Sequence, residues 1–157
     1  MAKNINELIS DLDNDNEFIQ EESKTLLEKK GAEAVEPLVD ALLNNKNKDI
    51  KILAAKILGN IGDKKAINPL IATLSNPNKM VRREASTSLI KMGNDAVEPL
   101  ITVLENEDWR IRGAASWVLG SIGDKRAVEP LKALLNDESG YVKSGAKKSL
   151  DTLEKIS

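Results

Sequence analysis

The stretch from Gly93 to Gly123, GNDAVEPLITVLENEDWRIRGAASWVLGSIG, decides the fold of this chain, because variants of it precede and follow it. Four glycines mark the copies at spacings of 31, 31 and 30 residues: Gly31, Gly62, Gly93 and Gly123. A proline followed by a leucine comes after each glycine, at Pro37, Pro69, Pro99 and Pro130. Recurrence of many positions at one period of this size predicts a solenoid built from copies of one helical hairpin.

The apolar positions inside each copy predict two helices. The first helix has two leucines four residues apart, and the second has a β-branched residue, an alanine and a leucine at helical spacing. The residues expected to be buried on the second helix of the fourth copy are Ile111, Ala115, Leu119 and Ile122. In the fifth copy they are Leu131 and Leu135, followed by Ala146, Leu150, Leu153 and Ile156 on the last helix, which closes the stack.

The first 30 residues resemble the other copies only in part and are expected to cap the array. Leu8 and Leu12 occupy the places of the paired leucines, but Glu7 replaces the proline and the segment is polar and acidic. Repeat arrays need such polar terminal caps. We therefore expect one all-α domain over residues 1–157, a solenoid of five hairpins and about ten helices. The predicted repeats are 1–30, 31–61, 62–92, 93–122 and 123–157.

Residues at the repeat junctions predict where helices end and begin. Each marker glycine suits the position just after a helix, where the backbone needs a positive φ. Asp63 and Asp124 follow two of these glycines and can cap the helices that start there. Asp108 can cap the second helix of the fourth copy in the same way.

Composition and charge exclude several classes of function. The 157 residues include no cysteine and no histidine, so thiol nucleophiles, the usual general base and the commonest transition-metal ligand are absent. The formal net charge of −2 gives no overall attraction to nucleic acid or anionic lipid. No apolar run approaches the roughly 18 residues that a membrane span needs. These observations predict a cytoplasmic, monomeric protein that is not an enzyme and holds no cofactor.

Residues 96–131, AVEPLITVLENEDWRIRGAASWVLGSIGDKRAVEPL, resemble the short HEAT-like repeat named after the phycocyanobilin lyases. The resemblance covers residues 31–157 well and residues 1–30 loosely. The stretch from Trp109 to Gly123 is most similar to small archaeal HEAT-like proteins. This resemblance implies a right-handed α-solenoid, or α–α superhelix, whose second helices line a concave groove.

A second stripe on each second helix varies between copies, and the resemblance implies that it faces the groove. It contains arginine, tryptophan, tyrosine and methionine, which are enriched at binding interfaces. We predict a partner-binding patch that comprises Met80, Arg110, Trp117 and Tyr141, rimmed by Lys56, Arg83 and Lys148. The alternative is that Trp117 packs against neighbouring helices and that Arg110 is only a solvated charge.

Two further features favour structural roles. Trp109, at a helix start, is expected to pack between repeats. A basic residue follows the β-branched core residue in four copies, at Lys51, Arg82, Arg112 and Lys143. This column could be taken for a ladder that reads phosphates. Its regular place beside the core instead favours ion pairs with the loop residues Asp63 and Asp124, which would tie one repeat to the next.

A calcium-loop pattern is present but incomplete. Its acidic residues stand at positions 1, 3, 5 and 12 of the pattern: Asp11, Asp13, Asp15 and Glu22. Oxygen ligands at this spacing suit Ca²⁺. However, Asn16 replaces the turn glycine, and the repeat register makes Leu12 a core residue and starts a helix near Glu17. The loop is then too short to surround an ion, and we predict no metal site.

Three functions remain open. The main prediction is a non-enzymatic scaffold that binds a protein or peptide of unknown identity in the concave groove. The second, implied by the resemblance, is an enzyme-associated or lyase-like HEAT-repeat protein. A di-iron hydroxylase of this fold would need histidine ligands, which the chain lacks. The third is nucleic-acid binding along the groove. Its candidate cations, Lys56, Arg83, Lys91, Arg110 and Lys148, are interrupted by Glu22, Asp49 and Glu84.

Overall fold

The computed structural model describes residues 2–156 and forms, within that range, ten α-helices and no strand. In chain order the helices are α1 (Ile5–Ser10), α2 (Glu17–Lys30), α3 (Ala32–Asn44), α4 (Lys48–Ile61), α5 (Ile67–Ala72), α6 (Lys79–Met92), α7 (Asn94–Thr102), α8 (Trp109–Ile122), α9 (Val128–Ala133) and α10 (Gly140–Glu154). The odd-numbered helices are the first helices of the predicted hairpins and the even-numbered ones the second. The prediction of an all-α repeat solenoid is confirmed.

Short 3₁₀ turns extend four of the five first helices. They lie after α1 (Asp11–Asp13), on both sides of α5 (Lys64–Ala66 and Thr73–Ser75), after α7 (Val103–Glu105) and on both sides of α9 (Lys125–Ala127 and Leu134–Asn136). Such short pieces are typical of helix ends and connections.

The chain divides into two compact units, Met1–Ser88 and Leu89–Ser157. In the first unit α1 packs on α2 and α3, α3 packs on α4 and α5, and α2 packs on α4. In the second unit α7 packs on α8, α9 on α10, and α8 on α10. The organisation as one domain, with the repeat boundaries given above, stays a prediction.

The marker glycines all have positive φ, and they make two kinds of turn. Gly62 and Gly123 are left-handed helical, and the aspartate that follows each caps the next 3₁₀ turn. Gly31 and Gly93 have ψ near −122° instead, and α3 and α7 begin at the next residue. The turn type therefore alternates, and the structure has a period of two repeats that the single-repeat pattern did not predict.

Two short polar side chains lie at the beginning of the second helix of each repeat. The N-cap side chains of α2, α4, α6, α8 and α10 accept hydrogen bonds from backbone N–H groups of the first turn: Asn16, Asn47, Asn78, Asp108 and Ser139. Two residues earlier, another side chain accepts from the N–H of each cap residue at 2.8–2.9 Å: Asn14, Asn45, Asn76, Asn106 and Asp137. These local bonds determine where the second helices begin, and they confirm Asp108 as a cap.

The repeating apolar positions form the core, with corrections near the C-terminal end. Leu134 is buried and Leu135 is 40% exposed, although Leu135 was the predicted partner of Leu131. The 3₁₀ turn that begins at Leu134 does not explain the shift, because the same turn follows α5 and α7, where Leu74 and Leu104 stay buried at the place of Leu135. Ile156 follows the end of α10 and is also 40% exposed, so it does not close the stack.

On α8 the buried face differs from the predicted one. Ala115 and Leu119 are fully buried, whereas Ile111 and Ile122 are only half-buried. The additional buried residues on this helix are Arg112, Gly113, Ser116, Val118 and Gly120. The packing of α10 on α8 accounts for this broader buried face.

Candidate functional site

Helices α8 and α10 approach each other closely at a glycine and a serine. A Cβ added to Gly120 would lie 2.6 Å from Cβ and 2.9 Å from Cα of Ser149, closer than real Cβ atoms come. The Ser149 hydroxyl donates a 2.7 Å hydrogen bond to the carbonyl oxygen of Ser116 on α8. Both serines are buried. This contact holds the two helices at the separation on which the site depends.

Two more glycines on these helices receive aromatic rings from the opposite helix. Tyr141 of α10 lies over Gly113 of α8, where an added Cβ would be 2.5 Å from the Cδ2 atom of the ring. Trp117 of α8 lies over Gly145 of α10, where an added Cβ would be 2.9 Å from the indole Nε1. Each helix therefore supplies one ring and one glycine, and any larger residue at either glycine would displace a ring.

The rings form an aromatic and cationic surface. The Lys148 ammonium lies 5.1 Å from the ring centroid of Trp117, within cation–π range. Trp109 and Tyr141 make an edge-to-face pair with centroids 5.5 Å apart. Trp109 and Tyr141 remain 49% and 47% exposed, Trp117 is half-buried, and Lys148 is exposed. We call Trp109, Trp117, Tyr141 and Lys148 the aromatic surface.

The sequence predicted part of this surface. Trp117 and Lys148 come together, and Tyr141 lies over Gly113 of the same helix pair. Trp117 is partly exposed, although it also packs against α10. Trp109 does pack against the next repeat, through Tyr141, but half of its surface stays open, so it belongs to the site. Gly113 and Gly145 were missed. Glycine is costly inside a helix, and its presence there was the available signal of a close approach.

Arg110 is engaged locally. Its Nε and Nη2 atoms each donate a 3.0 Å hydrogen bond to the Asp108 carboxylate, and its backbone N–H bonds to the same group. These bonds from Arg110 hold the pKa of Asp108 below its ordinary value and raise the pKa of Arg110. The two charges offset each other, so Arg110 adds little positive charge to the aromatic surface.

Met80, Lys56 and Arg83 were predicted to complete the patch. All three are exposed, on α4 and α6 in the unit Met1–Ser88, whereas the aromatic surface lies wholly in the unit Leu89–Ser157. The site described here is therefore that of α8 and α10 alone, and a role for these three residues stays a prediction.

Arg112, one of the four basic residues of the column, has a structural role, but its partner is not one of the predicted aspartates. Arg112 makes a two-point ion pair with Asp137 of the next repeat, with Nε–Oδ2 and Nη2–Oδ1 distances of 2.9 and 3.0 Å. Its Nη1 atom also donates to the carbonyl oxygens of Asn106 and Glu107. Both side chains of the pair are about nine-tenths buried. Asp124 cannot serve as this partner because it caps its own turn and pairs with Arg126.

The ion pair with Arg112 is the main reason that the pKa of Asp137 lies below its ordinary value. The hydrogen bonds from Arg112 lower its pKa most strongly; burial opposes them, and the N–H of Ser139 lowers the pKa further. The same pair raises the pKa of Arg112. In the other loops asparagine stands in the place of Asp137 and makes the same backbone turn without a charge. The carboxylate is needed here because it neutralises Arg112.

Hydrogen bonds and the burial of Leu12 hold the acidic loop at residues 11–16 in place. Asp11 is paired with Lys3, and Asp13 accepts a 2.6 Å hydrogen bond from Asn47 of the second repeat. Leu12 is fully buried and α2 begins at Glu17, as predicted. Within residues 2–156 no group of three or more acidic side chains is placed to hold a metal ion. Asp11, Asp13, Asp15 and Glu22 therefore do not form a calcium cage in this structure.

Comparison with known proteins relates this fold to phycocyanin lyases. The chain is 28% identical, over 99% of its length and 82% of the relative's, to the uncharacterized phycocyanin operon protein Z of Pseudanabaena tenuis (strain PCC 7409). Among solved structures it resembles a chain of the complex of CpcE and CpcF of phycocyanin lyase from Nostoc sp. PCC7120. The TM-score is 0.58 and the identity 22%, over 92% of this chain and 96% of that one. That solved structure is itself a complex of two proteins, CpcE and CpcF.

These comparisons correct two predictions. The prediction that the protein is not an enzyme is wrong, because it is contradicted by the similarity to a phycocyanin operon protein and by the fold shared with a chain of a phycocyanin lyase complex. Its reasoning failed because the absence of histidine and cysteine excludes only chemistry that uses those side chains. The proposed likeness to archaeal members finds no support among these matches.

Other findings place the chain more broadly. Across residues 2–156, none of the helices has both the length and the apolar character that crossing a membrane requires. The family model for HEAT repeats matches residues 35–96 and 70–151. Because these overlapping matches span well over half of the chain and agree with the observed helical hairpins, the protein belongs to the HEAT-repeat family.

Proposed function

We propose that this protein is a lyase-related HEAT-repeat scaffold that binds a protein of a phycocyanin-type system on its aromatic surface. The relation to the phycocyanin operon protein extends over 99% of this chain, and it supports a role in that kind of system. The fold it shares with a chain of the phycocyanin lyase complex is consistent with a role as a subunit or a partner of a lyase.

The observation that carries the binding site is the concentration of aromatic side chains on α8 and α10. The chain has only two tryptophans, one tyrosine and one phenylalanine, and three of these four lie on the aromatic surface. Tryptophan and tyrosine dominate the binding energy of protein interfaces, because they bury large areas at low entropic cost. Helical repeats pack well without aromatic residues, so rings that stay half exposed here support a role in recognition.

The glycines under the rings support the same proposal. Gly113 and Gly145 hold Tyr141 and Trp117 in place before any partner arrives. A surface whose side chains are already ordered loses less conformational entropy on binding. The scaffold would then contribute to lyase function by holding a protein substrate or another subunit in a defined orientation, which is a substantial part of catalysis.

The test measures binding and activity separately. The purified chain is titrated calorimetrically with the pigment-free phycocyanin polypeptide and with the CpcE–CpcF complex. We expect binding to at least one of them, weakened about 30-fold by Trp117→Ala, which corresponds to roughly 2 kcal/mol for an interface hot spot. Lyase activity on phycocyanin should also change when the chain is added, and Trp117→Ala should reduce that change.

Lys132→Ala is the matched control, because Lys132 is an exposed residue of the same unit on α9. It should leave binding unchanged. Binding that Trp117→Ala does not alter would place the partner on another surface, whereas absence of any binding and of any effect on activity would refute the phycocyanin-related role.

A further inference from the structure

Arg82 on α6 is held by the loop before its helix in the same way as Arg112 on α8. Its Nη1 atom donates hydrogen bonds of 2.8 and 3.0 Å to the carbonyl oxygens of Asn76 and Pro77, six and five residues earlier. Arg112 makes the corresponding two bonds, at the same two distances, to the residues six and five places before it. Each loop thus fixes its guanidinium group through the same atom.

The other edge of Arg112 shows what a guanidinium group held in this way can bind. Its Nε and Nη2 atoms donate to the two carboxylate oxygens of Asp137, at 2.9 and 3.0 Å. Two parallel bonds of this kind are among the strongest that arginine makes with an oxyanion. In the part of the chain that the structure describes, the same two atoms of Arg82 donate to no acceptor. That edge of Arg82 is therefore open to an oxyanion from another molecule.

The sequence explains why Arg82 has no carboxylate of its own. In the repeat that follows Arg82, the place of Asp137 is held by Asn106, which is neutral. The Oδ1 atom of Asn106 accepts a 2.8 Å hydrogen bond from the backbone N–H of Asp108. Arg82 is half-buried, and a partly desolvated charge is unfavourable without a counter-charge. A carboxylate supplied by a partner would relieve this cost.

The charges beside Arg82 on α6 also favour an anion. Lys79 stands three residues before Arg82 and Arg83 stands four residues after Lys79, so each is a neighbour of Lys79 on the helix surface. Lys79 and Arg83 are exposed, and across residues 2–156 neither forms an ion pair. Glu84 is the one acidic residue of α6, and at two residues from Arg82 it does not share a face with it.

We infer that Arg82 is a binding site for an acidic segment of a protein partner. A glutamate or aspartate of that segment accepts hydrogen bonds from Nε and Nη2 of Arg82, as Asp137 does from Arg112. A second acidic residue of the segment is attracted by Lys79, the neighbour of Arg82 on the helix.

This site is separate from the proposed function. Arg82 and Lys79 lie on α6 in the unit Met1–Ser88, whereas the aromatic surface lies on α8 and α10 in the other unit. The ligand is assigned as a carboxylate because a carboxylate is the group that binds the same edge of Arg112. Failure of this inference would leave the role of the aromatic surface unaffected.

The experiment follows the arginine Nε–H groups of the full chain by nuclear magnetic resonance, with ¹⁵N in the arginine side chains. The chain is titrated with a blocked triglutamate peptide, and separately with blocked triglutamine, acetate and inorganic phosphate. We expect triglutamate to shift the Nε–H resonance of Arg82 saturably and triglutamine to leave it unchanged. Arg112 is the matched control, because its Nε–H is already bonded to Asp137 and its resonance should not move. Acetate, which offers one carboxylate, should bind more weakly than triglutamate.

Two lysine variants supply the second arm, measured through the backbone resonances of α6. Arg82→Lys keeps the charge but loses the two-point bond, so it should weaken triglutamate binding about tenfold. Arg83→Lys should leave the binding unchanged. No saturable shift of Arg82, an equal shift of the exposed Arg83, or full affinity in Arg82→Lys would each overturn the inference. Acetate that binds as tightly as triglutamate, or phosphate that binds more tightly, would overturn the assignment to an acidic protein segment.

Discussion

Replacing Gly120 with alanine tests the close contact between α8 and α10. Glycine in the interior of a helix costs about 1 kcal/mol relative to alanine, so propensity alone would make Gly120→Ala stabilising. The structure predicts the opposite, because the new Cβ would lie 2.6 Å from Cβ and 2.9 Å from Cα of Ser149. The backbone atom cannot move away without separating the helices.

The expected magnitude follows from these opposing contributions. Overpacking of a tight contact costs about 1–3 kcal/mol, and loss of the hydrogen bond from Ser149 to Ser116 costs about 1 kcal/mol more. After the gain in propensity, we expect a net loss of about 1–3 kcal/mol in the free energy of unfolding. For a chain of this size each kcal/mol corresponds to roughly 2–4 °C in Tm. The Tm should therefore fall by roughly 2–12 °C.

Thermal and urea denaturation, followed by circular dichroism, measure this change. Gly140→Ala is the control, because no atom lies within 4 Å of a Cβ added there, and its Tm should stay the same or rise slightly. In the double variant, Ser149→Gly removes the opposing Cβ and should recover at least about 1 kcal/mol through coupling between the sites. A Gly120→Ala variant as stable as Gly140→Ala would refute the reasoning.

Three other predictions concern stability and use the same denaturation measurements. Asp137→Asn should cost about 1.5–3 kcal/mol at pH 7, because it leaves the buried Arg112 without its counter-charge. The pKa of Asp137 is lowered by folding, so the stability it contributes is present above its unfolded pKa of about 4 and is lost as pH falls through the folded pKa. The difference between wild type and Asp137→Asn should therefore shrink below pH 4, and a constant difference would contradict this account. Leu134→Ala should lower the free energy of unfolding by about 2–4 kcal/mol and Leu135→Ala by under about 1 kcal/mol, since only Leu134 is buried. A larger loss for Leu135→Ala would instead support the sequence prediction that Leu135 is the core residue. Asn47→Ala should cost about 1 kcal/mol by removing the N-cap of α4, and an unchanged Tm would show that this cap is dispensable.

The candidate site was predictable only where residue type was enough. Trp117 and Tyr141 could be identified because these side chains are scarce in the chain and stand outside the core columns. That Arg110 would turn back to Asp108 depended on the path of its side chain at the helix start. That Trp109 would meet Tyr141 depended on how α10 lies on α8. The sequence pattern contains neither the path of the Arg110 side chain nor the way that α10 packs on α8.

The sequence by itself determined the helices and their order. The period near 31 residues, the positive-φ glycines and the caps such as Asp108 and Asn47 act within a few residues along the chain, so they can be read directly from it. Only the tertiary structure decided which repeats pack most closely and which charges meet. Arg112 pairs with Asp137, 25 residues away, because packing of α8 and α10 excludes water from both side chains. The same packing turns Gly113, Gly120 and Gly145 from weak helix formers into the contacts that hold the aromatic surface together.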